Sequence, residues 1–122
     1  MVARVPADHV AIKRIYLPAD PGDGVRVLVD RLWPRGVSKA RAALDAWKRD
    51  VAPSDGLRRW YGHEPARWPE FCERYRAELR DRPEAVESLR ALARHAPVTL
   101  LFGARDEVRN EAVVLREVLL GR

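Results

Sequence analysis

Hydrophobic residues in this chain fall into short runs, and their spacing alternates between a strand pattern and a helix pattern. Continuous β-branched and aliphatic runs predict buried strands at Val25–Val29 and Val98–Phe102. A third run, Val10–Leu17, is interrupted by two cations, which predicts a strand that lies partly at a sheet edge. The turn at residues 18–24 is short for a parallel crossover, so antiparallel pairing and a reduced crossover remain open for the first two strands.

Helical spacing accounts for much of the remaining chain. Ser38 and Ser54 are favourable N-caps of two short helices, and Gly62 is a typical end for the second. The first of these has no evident end, because Trp47–Val51 fits either a last helical turn or an extended exit. Two longer helices follow, with apolar stripes at Trp68, Phe71, Tyr75 and Leu79 and at Val86, Leu89, Leu92 and Ala93. Asp106 is the predicted N-cap of a final helix from Glu107 to about Leu120. The residues expected on its buried face are Val108, Ala112, Leu115 and Leu119.

The order of these elements predicts an α/β fold with a small, mostly parallel sheet covered by helices. The length of 122 residues fits one compact domain, which we place at residues 10–121 behind a flexible N-terminus at residues 1–9. A hydrophobic content of 47% together with 34% charged residues is typical of a folded protein and excludes a disordered chain.

The net charge of +5 raises the question of a nucleic-acid partner. The basic residues are nearly all arginines, however, and they are interleaved with Asp and Glu, which favours a solvated surface over a nucleic-acid interface. No apolar run is long enough for a membrane helix, and the N-terminus lacks the apolar core of a signal peptide. Cys72 is alone and cannot form an internal disulfide, so we expect a cytoplasmic protein.

The strongest site candidate follows the second strand. That strand stops at Asp30, and a stiff, charged and aromatic stretch follows at once. Ligands of open α/β sheets bind beyond the carboxyl ends of the strands. If the strand Val98–Phe102 runs parallel to the strand Val25–Val29, the loops that follow both strands and the amino end of the last helix meet at one edge of the sheet. Arginine forks and free N–H groups there favour a nucleotide, a phosphate ester or a carboxylate. The residues expected to bind it are Arg31, Trp33, Arg35, Arg105, Asp106, Arg109 and Asn110.

Candidate catalytic groups are few. His63, in a short aromatic loop, is a candidate for proton transfer or for a helix cap, and Asp30 would orient arginines or act as a base. Cys72 has no adjacent base in the sequence and fits a structural thiol. Three scattered histidines and one cysteine give no metal-binding spacing, and no glycine motif indicates a cofactor, so the cofactor is unknown.

The stretch Asp30–Gly36 resembles the signature of the DUF488 family in its short form, and the similarity extends from about Ile12 to Leu120. Further matching segments are Ala52–Ser54, Leu57–His63, Val98–Phe102 and Ala104–Asp106. The resemblance implies a small bacterial or archaeal α/β protein and no established reaction. Longer members carry a Cys and a Cys-His-Arg after the last strand, where this chain has neither Cys nor His.

Three functional hypotheses remain: an anion-binding protein, a nucleic-acid-binding or regulatory module, and a structural module. In the last, Asp30 and Arg31 would pair with Arg105 and Asp106 only to tie two loops together. Whether the protein is an enzyme and which oligomeric state it adopts do not follow from the sequence.

Overall fold

The apolar runs form one sheet in the computed structural model, which describes residues 4–122. Its strands are β1 (Val10–Arg14), β2 (Val25–Leu28), β3 (Ala46–Trp47) and β4 (Val98–Phe102). Their order across the sheet is β1-β4-β2-β3, and every pairing is parallel. The first two strands therefore run parallel without pairing directly, because β4 lies between them. β1 lies at the edge, as its two cations predict.

Five α-helices accompany the sheet in the described chain. They are α1 (Lys39–Ala42), α2 (Asp55–Tyr61), α3 (Trp68–Arg80), α4 (Pro83–His95) and α5 (Glu111–Leu119). The hydroxyl of Ser38 accepts a hydrogen bond from the Arg41 N–H, and that of Ser54 accepts one from the Leu57 N–H, so both predicted N-caps are confirmed. α2 ends at Gly62, which adopts the left-handed conformation at φ 53°.

The two faces of the sheet bury different clusters because successive strand residues point to opposite sides. The larger cluster contains Val27, Leu100 and Phe102 with the apolar stripes of α2 to α5. The smaller one contains Leu28, Leu101 and the residues around α1. The predicted α/β class and single compact domain are confirmed, and the sheet is entirely parallel within residues 4–122.

The last helix begins later than predicted. Asn110, and not Asp106, is its N-cap, since the Asn110 Oδ1 accepts hydrogen bonds from the N–H groups of Ala112 (3.0 Å) and Val113 (3.3 Å). The Asp106 carboxylate instead accepts the Val108 and Arg109 N–H groups and closes a separate turn. Val108 is consequently 68% exposed and belongs to no buried stripe.

The exit from α1 is extended rather than helical. Ala43 adopts φ 46° and ends the helix, and Trp47 lies in β3 beside Leu28. At the N-terminus, Val5 is buried in the core and the Nδ1 of His9 lies 2.5 Å from the Ala93 carbonyl oxygen. The expected flexible segment also includes residues 1–3, which lie outside the described residues. No helix among the described residues is long and apolar enough to cross a membrane.

Candidate functional site

A cavity of about 370 Å³ opens where β1, β2 and β4 end. We call it the carboxyl-edge cavity; its lining includes Asp30 after β2, Gly103 after β4, Tyr61 of α2 and Glu111 at the start of α5. The parallel sheet produces this convergence, because all strand exits lie on one side. The volume lies within the range of roughly 300–1,000 Å³ that is typical of small-molecule sites.

Two carboxyl groups meet in the cavity. Those of Asp30 and Glu111 lie within hydrogen-bonding reach of each other. The Asp30 Oδ2 also accepts the Gly103 N–H at 2.9 Å, and a Cβ at Gly103 would lie 2.9 Å from the same oxygen, so a larger residue there would displace the carboxylate. In residues 4–122 neither carboxyl forms an ion pair, and no third His, Cys, Asp or Glu joins them as a metal site would need.

The environment of Glu111 strongly favours its neutral form. Burial raises its pKa well above the ordinary value, and the adjacent charge and hydrogen bond of Asp30 raise the pKa further. A neutral Glu111 can donate its carboxyl proton to Asp30, and the pair then carries one negative charge instead of two. Such a perturbed pair within a cavity is a marker of functional sites as well as of structural networks.

Four arginines line the cavity around this pair: Arg31, Arg58, Arg59 and Arg109. Arg31 donates to the Pro53 carbonyl oxygen at 2.8 Å and lies 4.0 Å from the Asp55 carboxylate. Arg109 is paired with Asp106 at 3.1 Å and remains 42% exposed. Arg58 and Arg59 are exposed, whereas Arg31 and Arg109 are half-buried, as the two carboxyl groups are.

Aromatic residues form the apolar part of the lining, namely Tyr16, Trp33, Tyr61 and Phe71. Trp33 donates to the Val37 carbonyl oxygen at 2.7 Å, which fixes its ring. The Tyr61 hydroxyl donates to the Arg109 carbonyl oxygen at 3.3 Å. Burial first and the Asp106 carboxylate second raise the pKa of Tyr61, so the hydroxyl stays protonated.

Six of the residues predicted for the site line this cavity: Asp30, Arg31, Trp33, His63, Arg109 and Asn110. Arg35, Arg105 and Asp106 lie outside the lining in the part of the chain that the structure describes. Arg35 and Arg105 are exposed loop residues, and Asp106 is held by its own turn. The structural hypothesis, in which ion pairs between these residues tie two loops together, also fails as stated. Asp30 and Arg31 do not pair with Arg105 or Asp106.

Two expected features of the site differ from the prediction. The amino end of α5 offers no free anion-binding pair of N–H groups at Ala112 and Val113, since the buried Asn110 side chain occupies both. His63 lines the cavity in a left-handed conformation at φ 58°, and its exposed ring lies 6.0 Å from that of Tyr61, measured between centroids. Within the described residues, its ring has no hydrogen-bond partner that would orient it as a base.

The sequence reasoning missed Glu111, Arg58 and Arg59. Glu111 was hidden by the helix start expected at Glu107, which placed it inside the helix. The signal that reveals it is Asn110, an equally good N-cap, because the residue after an N-cap lies at the helix end. Arg58 and Arg59 follow Ser54 on a helix whose Tyr61 is buried, so their exposure is consistent with its periodicity.

Comparison with known proteins places this geometry in a family. The chain is 45% identical over 114 residues to the uncharacterized protein Rv3073c of Mycobacterium tuberculosis, covering 93% of this chain and 96% of the relative. It is 40% identical over 111 residues to the uncharacterized protein YeaO of Escherichia coli, covering 91% and 96%. No solved structure matches it. The model described as the inactive DUF488-N3 subclade matches residues 9–122, and the chain therefore belongs to this branch of the DUF488 family.

Proposed function

We propose that the protein binds a small anionic molecule, such as a nucleotide, a phosphate ester or a carboxylate, in the carboxyl-edge cavity. The observation that carries this proposal is the set of four arginines around one cavity with aromatic walls. Guanidinium groups bind phosphate and carboxylate through paired, charge-assisted hydrogen bonds, and aromatic walls accept the rest of a small ligand.

The arginines are available to a ligand to different degrees. Arg59 is exposed, and its side chain has no hydrogen bond or ion pair within residues 4–122. Arg58 is paired with Asp55 at 3.4 Å in an exposed i,i+3 contact. Exposed pairs contribute roughly 0.2–1 kcal/mol, which is small beside a charge-assisted contact to a ligand. A bound anion can therefore recruit Arg58 at little cost.

Binding is favoured over catalysis. Among the described residues His63 has no hydrogen-bond partner that would fix its ring, and burial raises the pKa of the Cys72 thiol, which disfavours a nucleophilic thiolate. The subclade to which the chain belongs is also described as inactive. These observations support a ligand-binding role in which the cavity recognises a molecule without transforming it.

The test compares Arg59, which lines the cavity, with Arg105, which lies outside the lining. Thermal shift and calorimetric titration with adenosine monophosphate, phenyl phosphate and 3-phenylpropionate are measured for the wild type, Arg59→Gln and Arg105→Gln. We expect at least one anion to raise the melting temperature, and Arg59→Gln to weaken its binding about tenfold, the loss of one charge-assisted hydrogen bond. Arg105→Gln has the same charge change outside the cavity and is expected to bind like the wild type.

Two results would count against this function. One is the absence of stabilisation by all three anions, and the other is equal weakening in Arg59→Gln and Arg105→Gln. In the second case the net charge of the protein, and not the cavity, would explain the binding, as expected for the nucleic-acid alternative with its steep salt dependence.

A further inference from the structure

The binding of an anion does not by itself explain why two carboxyl groups, those of Asp30 and Glu111, line the carboxyl-edge cavity. Asp30 and Glu111 meet there without any protein cation as a partner within residues 4–122, although four arginines lie around the same cavity. We propose that the ligand is a zwitterion, whose cationic nitrogen binds between the Asp30 and Glu111 carboxyl groups while its anionic group binds the arginines. This inference rests on the proposed function and specifies the class of ligand.

The carboxyl pair has the composition of a cation site. Two carboxyl groups at hydrogen-bonding distance repel when both are ionised, so without a cation one of them must hold a proton. An ammonium or amidinium group offers several N–H donors and a positive charge, and it can satisfy both carboxylates together. The Gly103 N–H already satisfies one lone pair of Asp30 at 2.9 Å, which fixes that carboxylate in the cavity.

The charges of the lining are separated by depth. Asp30 and Glu111 are half-buried, whereas Arg58 and Arg59 of α2 are exposed. A ligand with a cationic end inward and an anionic end outward therefore complements the lining. The Trp33 ring also lines the cavity, where it can contact an apolar or aromatic portion between the two charges.

When the ligand's cationic group replaces the proton of the carboxyl pair, both protons and charge must be accounted for. In the free protein the raised pKa of Glu111 favours one proton on the pair, held at Glu111. The titratable groups near Glu111 on the surrounding elements are Asp30 after β2, Tyr61 of α2 and Tyr75 of α3, and Arg109 lines the same cavity. The ligand's cationic nitrogen enters with all its protons, Glu111 ionises, and one proton leaves to solvent. Binding therefore strengthens as the pH rises toward the pKa of Glu111.

Matched probes separate this inference from the proposed function. L-Phenylalanine is compared with 3-phenylpropionate, and phosphoethanolamine with ethyl phosphate; the members of each pair differ by one ammonium group. Affinities come from calorimetry, and proton release from an indicator dye in weakly buffered solution. We expect at least one zwitterion to bind about tenfold or more tightly than its partner, as expected for a charged hydrogen bond, and to release up to one proton.

The variant Glu111→Gln sharpens the result because it keeps the shape and a donor toward Asp30 but cannot ionise. It is expected to lose both the preference for the zwitterion and the proton release, whereas Arg105→Gln, which lies outside the cavity lining, is expected to keep both. If the simple anions bind as tightly as the zwitterions to the wild type, the zwitterion inference is wrong while anion binding stands. If neither kind of probe binds, the proposed function fails as well.

Discussion

Asp23 lies two residues before β2 and Asp30 lies two residues after it, and the fold treats these two carboxylates in opposite ways. Asp23 is bound by Lys13 at 3.0 Å and by Arg26 at 2.5 Å. Asp30 meets a second carboxyl group and has no ion pair among the described residues. Asp23 is therefore a carboxylate that stabilises the fold, whereas Asp30 lies beside a cavity without a cation to compensate its charge.

The amino edge of the sheet is a closed network. Arg26 is only 5% exposed, and besides Asp23 it donates to the Ala42 carbonyl oxygen at 2.8 Å. Burial alone would raise the pKa of Asp23, but hydrogen bonds from the Asp20 N–H, Lys13 and Arg26 outweigh burial and lower it. Because Asp23 is paired with both Lys13 and Arg26, this network leaves no charge for a ligand to complete.

The carboxyl edge is open by contrast. There Asp30 meets the Glu111 carboxyl instead of a cation, and arginines with weak or no ion-pair partners line the cavity. If the carboxyl edge binds a ligand as proposed, the two edges of one small sheet divide stability from recognition, and substitutions should reveal the division. Changes at the amino edge should cost stability, whereas isosteric changes at the carboxyl edge should not.

The largest effect is expected at Gly24, on the amino edge. A Cβ there would lie 2.3 Å from the Pro97 carbonyl oxygen, and the residue has φ +64°. Gly24→Ala should lower the free energy of unfolding by about 4–5 kcal/mol, because the clash is with rigid backbone. Gly36→Ala is the control: its φ is +74°, but its Cβ would have no atom within 4 Å, so denaturant unfolding should show a loss of about 1–2 kcal/mol. Equal losses would contradict the role given to the close approach.

The next effect concerns Asp23 itself. Asp23→Asn leaves Lys13 and the buried Arg26 without their carboxylate and should cost about 3 kcal/mol at neutral pH. Since the pKa of Asp23 is lowered in the folded state, this stability is present above the ordinary value of 3.8 and is lost as the pH falls below it. The wild type and the variant should therefore converge in acid.

An exposed acid provides the matching control for Asp23. Asp55 forms only exposed ion pairs, with Arg58 at 3.4 Å and Arg31 at 4.0 Å. Urea unfolding of Asp55→Asn should show a loss below about 1 kcal/mol. A loss as large as that of Asp23→Asn would mean that the amino edge is not specially stabilising.

The smallest effect, with the opposite sign, belongs to Glu111. Its raised pKa means that the folded state binds the proton more tightly, so the wild type loses stability as the pH rises from the ordinary value of 4.5 toward the folded pKa. Glu111→Gln removes this loss and should raise the melting temperature in mildly alkaline solution by about 4 °C, corresponding to roughly 1 kcal/mol. A lower melting temperature at every pH would show that the carboxyl pair is a structural contact.

Most of the fold follows from the sequence because burial imposes a visible pattern. The runs at Val25 and Val98 indicate strands covered on both faces, and parallel pairing then brings Asp30 and Arg109 to one edge. The exact end of a helix is less visible. Asp106 and Asn110 are equally good N-caps by residue type, and only the three-dimensional turn that consumes the Asp106 carboxylate decides between them.

The candidate site was predictable as a place but not as a set of groups. Loop residues have no periodicity that reveals side-chain direction, so Arg35 and Arg105 were indistinguishable from Arg31 and Arg109. The meeting of Asp30 and Glu111 joins the loop after β2 to the start of α5, which no local pattern indicates. The contact between these two carboxyl groups is therefore visible only in the folded structure.

The central claim is that the carboxyl edge binds a ligand and the amino edge does not. The most direct test is a titration of the ¹⁵N-labelled protein with phenyl phosphate, followed by backbone amide chemical shifts. We expect saturable shifts at Gly62, Gly103 and Glu111, which line the cavity, and none at Gly24, Val25 and Thr99 on the amino edge. Shifts concentrated at the amino edge, or spread without saturation over the basic surface, would contradict the account.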